Sequence, residues 1–243
     1  CGFYLSTLMF HITGSESVYA DDVGEYQVAL PLWGTVHPTG TPLYMLLGSP
    51  FVSVLNWLGV TSAAAASLFS LVWEGVNVAL VSIILHRVTG HAKISALTAI
   101  SIGLTRSIWI HGSIAEVYSL WLFLVLLSLL LALDLQTHWS DKKGWVLALM
   151  IGFGVAHHRL LVPVIPVIVL CLWRSWPRGA HLLRWGSIAT ICFVAGFLPY
   201  LDMVMRARYW TTWIYGSPAT WEGFWSLFWA REYSDLQRPV SSG

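Results

Sequence analysis

Two carboxylates three positions apart, Asp22 and Glu25, open the chemically suggestive part of this chain, in the segment 20–44, ADDVGEYQVALPLWGTVHPTGTPLY. On a helix this spacing puts both on one face of the first turn. It is equally the spacing of a variant capping box, with Asp22 as N-cap and Glu25 at N3. Both roles stay open, because an N-cap Asp at a bilayer surface can still face a cavity. His37-Pro38-Thr39-Gly40-Thr41-Pro42 then leads into an apolar run. Its prolines and glycine fix a rigid turn, and Pro42 suits a first helical turn. The segment reads either as a plain loop-to-helix junction or as a rim where His37 donates to an anion.

Glu116 stands in HGSIAEVYSLW, at the start of a long apolar helix. A carboxylate is welcome at a helix N-terminus; an ionisable group at membrane depth also commonly faces a cavity. His157-His158-Arg159 interrupts another apolar stretch. Adjacent helical residues point about 100° apart, which suits a two-His metal site poorly. A cationic cluster for a phosphate and an interfacial anchor are the other readings. Glu74 lies in the middle of an apolar run, so it needs a partner or a proton, and the sequence names neither.

The elements that position these residues are apolar helices. The 243 residues are 56% hydrophobic and 10% charged, against about a quarter charged in soluble domains. Runs such as 119–133, SLWLFLVLLSLLLAL, suit the ~20 residues that cross a ~30 Å hydrocarbon core. The composition excludes a soluble domain, and a net charge of +1 argues against nucleic acid as a partner. Cys1, Cys171 and Cys192 form neither a metal spacing nor a disulfide framework. The first run lacks a basic n-region and a cleavage site, so it reads as the end of a truncated helix rather than a signal peptide. The chain is therefore expected to be a single transmembrane domain over 1–243, cut from a longer protein.

The expected spans are 1–13, 41–59, 63–88, 92–110, 114–135, 144–157, 160–173 and 185–204. The two short pieces, 144–157 and 160–173, are expected to meet at His157-His158-Arg159. Tyr26, Leu30 and Trp33 at i, i+4, i+7 predict a short amphipathic helix on the membrane surface. Arg87 and Lys93, Lys142 and Lys143, and Arg174, Arg178 and Arg184 mark three cytoplasmic loops. The opposite side then receives 14–40, the 106–116 turn, 157–160 and the tail from about 205. It collects Asp21, Asp22, Glu25, His37, His111, Glu116, His157, His158 and Arg159, with Arg206, Arg208, Glu222 and Arg231 from the tail. No internal repeat supports an inverted-repeat transporter.

Asp22-Val23-Gly24-Glu25-Tyr26 followed by His37-Pro38-Thr39-Gly40-Thr41-Pro42-Leu43-Tyr44 resembles the D-x-G-E-[FL]…H-P-P-G-Y-P-L-[FY] signature of a polytopic glycosyltransferase family. That family has the GT-C architecture and includes the plexin-type protein O-mannosyltransferases and their bacterial relatives. Ala115-Glu116-Val117-Tyr118 resembles its A-E-V-Y helix start, and His157-His158-Arg159 its polar break between short helices. Leu198-Pro199-Tyr200 and Gly216-Ser217-Pro218-Ala219-Thr220-Trp221-Glu222-Gly223-Phe224 resemble its later L-P-Y and G-x-P-x-T-x-E-G-F stretches. Thr39, Thr41 and Asp21 depart from the pattern, standing where the family has Pro, Tyr and Gly.

The resemblance implies an all-α, multi-pass transmembrane helical bundle with an active site on the periplasmic, extracellular or lumenal face of a bacterial plasma membrane or endoplasmic reticulum. It implies inverting transfer of a mannose-like sugar from a polyprenyl-phosphate donor to a hydroxyl on a protein or glycan. In that reading Asp22 is the base, Glu25 and Glu116 orient groups or bind sugar, and His37, His158 and Arg159 serve the phosphate. Glu222 joins the substrate-binding set. No cofactor is called, and a divalent metal is left open. A lipid-linked-sugar or solute transporter and a catalytically silent membrane subunit are the competing classes. A transporter would thread charges at mid-span through several helices, where only Glu74 qualifies.

Overall fold

The computed structural model describes residues 2–12, 22–210 and 212–236. The ends of the expected span 1–13, the whole loop 14–21 with Asp21, and the tail beyond 236 lie outside the described residues. Every regular element among the described residues is helical. In chain order they are α1 Gly2–Ser6, α2 Val23–Ala29, α3 Pro42–Trp57, α4 Ser62–Thr89, α5 Ala92–Gly103, α6 Arg106–Ser113, α7 Tyr118–Thr137 and α8 Asp141–His157. A 3-10 helix over Arg159–Val164 leads into α9 Ile165–Leu172; α10 Ala180–Ala195, α11 Pro199–Met205, α12 Trp221–Trp229 and α13 Arg231–Leu236 complete the set.

Three of these are long and apolar enough to cross a membrane: α4, α7, and Ala180–Tyr209, where α10, α11 and a π-helical turn run on from one another. The chain is thus an all-α membrane helical protein. Of the remaining expected spans, 144–157 and 160–173 are matched by α8 and by Arg159–Leu172, and the others are shorter or broken. Span 41–59 is the 16-residue α3, and the described part of 1–13 holds only the five-residue α1. Span 92–110 is two helices. Thr105 adopts an extended backbone and its hydroxyl donates to the Ile102 carbonyl at 2.7 Å, which ends α5 and starts α6. The expected break at 157–159 is present, between α8 and the 3-10 helix.

α4 packs on α3, α5, α6 and α7, while α8 packs on α7 and α10. The α8–α10 crossing is backbone on backbone. A Cβ at Gly152 would lie 2.1 Å from the Phe193 carbonyl oxygen, and one at Gly196 2.4 Å from the Gly152 carbonyl carbon. Without an apolar solvent-exclusion force between membrane helices, such small-residue contacts are what let them associate.

The expected surface helix exists as α2, but it is not laid along a surface. Tyr26 and Leu30 are fully buried with Tyr44, Phe69, Ala115 and Leu120 in the main core. The helix ends before Trp33, which has a left-handed φ of 55°. α2 is therefore a plug wedged among α3, α4 and the approach to α7, and its first turn is held rigidly at one end of the bundle. The other end is tied by charge. Asp134 near the end of α7 pairs with Arg87 of α4 at 3.1 Å and with Lys143 of α8. Asp141 pairs with His181 of α10 at 3.0 Å.

Candidate active site

Asp22 immediately precedes α2, yet its side chain makes no capping bond to the first turn. Glu25 does not reach back to it either. Its carboxylate is occupied by His37, which donates its backbone N–H to Oε1 at 3.1 Å and pairs through Nδ1 with Oε2. The capping-box alternative is thereby set aside in favour of a bond across the loop. The other ring nitrogen of His37, Nε2, stands 3.5 Å from Asp22 Oδ2. His37 thus lies between the two carboxylates rather than apart from them. Side-chain exposure separates the three: Asp22 is 50% exposed, Glu25 and His37 16% each. Asp22 is the most exposed member of the group.

The 37–42 segment is a tight turn. The Gly40 N–H donates to the His37 carbonyl at 2.7 Å, and Gly40 has a φ of 80°, which glycine alone adopts without cost. A side chain there would also run into the Met203 sulfur at 2.6 Å. Pro42 then starts α3. From the far side Tyr200 steadies the turn: its hydroxyl is 3.2 Å from both the Thr39 and the Ala156 carbonyl oxygens, and donates to one of them at a time. Tyr200 belongs to the Leu198-Pro199-Tyr200 stretch. The sequence pointed to the motif without showing that its tyrosine links the His37 turn to the end of α8.

Glu116 arrives from the connection before α7 and is buried, at 6% exposure. The Ser70 hydroxyl of α4 donates to the Glu116 carbonyl and accepts from its N–H. Burial first, and then the negative charge of Asp22, push its carboxyl pKa up to about 7. His157 and His158 diverge, because His157 ends α8 while His158 has an extended backbone between α8 and the 3-10 helix. His157 is fully buried, with Nε2 3.1 Å from the Val117 carbonyl oxygen, so it ties α8 to the Glu116 segment. His158 faces the cavity, and its Nδ1 accepts from the Leu160 N–H at 3.3 Å. Burial, then the Arg159 charge, lowers its pKa. Arg159 lies over the rings of Phe228 and Trp229 at 6.0 and 5.8 Å.

These groups converge on a cavity of about 310 Å3, lined by Asp22, His37, Glu116, Tyr118, His158 and Arg159, with Tyr26, Thr41 and Tyr233 among its further walls. The lining thus combines two carboxyl groups with an imidazole and a guanidinium. Glu25 meets this cavity through His37. Glu222, on the first turn of α12, lies instead in an adjoining cavity of about 390 Å3 with Tyr215, Thr220 and Glu232, the two sharing Pro38 as a wall. Among the described residues no three His, Cys, Asp or Glu side chains are arranged to hold a metal ion.

Other expected members of this face are structural. Arg206 is fully buried, bonded to Asp202 at 2.5 Å, Ser49 at 2.7 Å and the Met45 carbonyl at 3.0 Å, with Trp33 stacked at 4.8 Å. It fastens α11 to α3. Glu74 finds its partner in Asn77, at 3.2 Å.

The family described as Protein O-mannosyl-transferase TMEM260 N-terminal domain matches residues 22–178. Protein O-mannosyl-transferase TMEM260 of Mus musculus is 26% identical over 235 residues, covering 93% of this chain and 33% of the relative. The Dictyostelium discoideum protein of the same name is 23% identical over 257 residues, covering 97% of this chain and 30% of the relative. Undecaprenyl phosphate-alpha-4-amino-4-deoxy-L-arabinose arabinosyl transferase 1 of Pseudomonas fluorescens (strain Pf0-1) is 26% identical over 151 residues, covering 60% of this chain and 26% of the relative. The chain spans about a third or less of the length of these relatives. No solved structure matches it.

Proposed function

This chain belongs to the Protein O-mannosyl-transferase TMEM260 N-terminal domain family, and we propose on that ground that it carries the active site of a membrane glycosyltransferase. The reaction is transfer of a mannose-like sugar from a polyprenyl-phosphate donor to a hydroxyl of a protein or glycan, on the non-cytoplasmic side. The observation that carries the reading is the gathering of two carboxyl groups, Asp22 and Glu116, with the Arg159 cation and the His158 imidazole around one cavity. A polyprenyl-phosphate donor also accords with the undecaprenyl phosphate in the name of the bacterial relative.

This set of groups suits the bond changes. The acceptor O–H proton passes to the Asp22 carboxylate as the oxygen attacks the anomeric carbon. The anomeric C–O bond breaks, and its electron pair leaves with the lipid phosphate. Arg159, always charged, meets that oxyanion with His158 beside it, where a fixed cation stabilises the charge as it develops. Glu116, near its own pKa at neutral pH, holds sugar hydroxyls as donor or acceptor. Glu222 borders the acceptor approach across Pro38.

The test is transfer of labelled mannose from a polyprenyl-phosphate donor to a serine- or threonine-containing protein acceptor, using the full-length protein in nanodiscs. A covalently labelled acceptor is expected. Movement of the lipid-linked sugar across proteoliposomes with no labelled acceptor would instead make the protein a transporter.

A further inference from the structure

We propose that His37 is a cationic strap, anchored by Glu25, that holds the Asp22 carboxylate as an anion turned toward the cavity; the inference rests on the reading of Asp22 as the base. Its ground is the placement of the ring. Glu25 takes two bonds from the same residue, one from the His37 backbone N–H and one from ring Nδ1. A two-point hold fixes both the position and the plane of the ring. The Gly40 N–H fixes its carbonyl, and the rings of Tyr26 and Tyr215 flank it at 5.9 and 6.5 Å. The other ring nitrogen, Nε2, stands 3.5 Å from Asp22 Oδ2, at ion-pair distance.

The protonation that fits is the imidazolium. A neutral ring has one donor nitrogen and one acceptor, and here each nitrogen faces a carboxylate. Only the doubly protonated ring turns an N–H toward each, hydrogen-bonded to Glu25 and paired by charge with Asp22. The ionisable groups around it agree in sign. Asp22 and Glu25 face it from α2, and Glu116 adds negative charge from the connection before α7. His158 is held toward its neutral form by burial, and Tyr26 and Tyr215 contribute neutral rings. Burial alone pulls the His37 pKa down, and the Glu25 bond and the carboxylate charges more than reverse it.

The consequence falls on Asp22. A cation within a few ångströms favours an ionised carboxylate. Asp22 sits among Glu25 and Glu116, whose charges act the other way, so without His37 it would hold its proton to higher pH. His37 is thus a positioning residue that acts through Asp22. The sequence had placed it on the phosphate side.

The experiment is the pH dependence of kcat/KM for mannose transfer by the full-length protein and its His37→Gln and His37→Lys variants, with thermal unfolding and donor KM measured alongside. Gln keeps a neutral donor of similar reach; Lys restores the cation without the ring. The acid limb is expected to move up by about one pH unit in His37→Gln and to stay near wild type in His37→Lys, with donor KM little changed in both. A His37→Gln profile that is lowered evenly, with its limb unmoved, would overturn the strap, and so would failure of both variants to fold. Asp22→Asn measured in parallel keeps the two ideas apart, because normal turnover there removes the base itself whatever His37 does.

Discussion

The Ser70 hydroxyl grips Glu116 from both sides of its residue, donating to the carbonyl at 3.0 Å and accepting from the N–H at 3.1 Å. A membrane-length helix therefore fixes the backbone of the most deeply buried carboxyl in the cavity. The carboxyl cannot relax outward, and burial raises its pKa to about 7.

That shift has a sign for stability. A group whose folded pKa lies above its unfolded value stabilises the fold below the unfolded pKa, here 4.5, and loses that contribution as pH rises through about 7. Glu116→Gln abolishes the dependence. The variant should match wild type in thermal unfolding near pH 4.5 and exceed it at pH 8, by on the order of 1–3 kcal/mol. Equal pH dependence of the two proteins would show that Glu116 is not held in the state described.

Arg159 faces the cavity and stacks on α12. Arg159→Ala should raise the KM for the lipid-linked donor by roughly 10–100-fold, the worth of a charged hydrogen bond, with a smaller effect on the acceptor KM. Arg159→Lys keeps the charge and loses the planar stacking, so it should fall between. Donor kinetics unchanged by the Ala substitution would leave Arg159 as an anchor for Phe228 and Trp229 alone.

Arg206 predicts a stability effect without chemistry. Arg206→Met leaves Asp202 without its cation in the interior and should cost about 3–5 kcal/mol. Adding Asp202→Leu should recover much of it, because replacing both members of a buried pair by apolar residues is often close to neutral. An additive loss in the double variant would contradict the clamp.

Much of this arrangement was legible in the sequence. The apolar runs 63–88 and 114–135 are α4 and α7 within a few residues, because nothing polar competes with helix formation there. The polar break at His157-His158-Arg159 stood out for the opposite reason. Asp22, Glu116 and His158 were brought to one face by the Lys and Arg of the other loops, and they do line one cavity. Side-chain direction was not legible. His37 looks like an anion donor until the loop folds it onto Glu25. Arg206 looks like a tail residue until α11 buries it against α3. Tyr26 and Leu30 carry the spacing of a surface helix, yet tertiary packing takes both inside. Each of these depends on which elements become neighbours, and spacing along one element does not encode that.

The side assignment has its own check. Cysteines placed at Glu222 and Lys142, in a protein stripped of its native cysteines, should label differently with an impermeant thiol reagent in intact cells. Labelling at 222 alone is expected, since Glu222 adjoins the cavity end and Lys142 the basic end. Labelling at both or at 142 alone would reverse the orientation.

The central claim is that Asp22 is the base, and the direct measurement is transfer by Asp22→Asn. Asn keeps the shape and removes the proton acceptor, and Asp22 makes no capping bond that its loss could disturb. The variant should fold, bind the lipid-linked donor and unfold at the wild-type temperature. Its kcat for sugar transfer should drop by roughly 10²–10⁴-fold, the contribution of a positioned general base, and Glu25→Gln should do less damage. Turnover by Asp22→Asn within a few-fold of wild type would contradict the account and turn attention to Glu116.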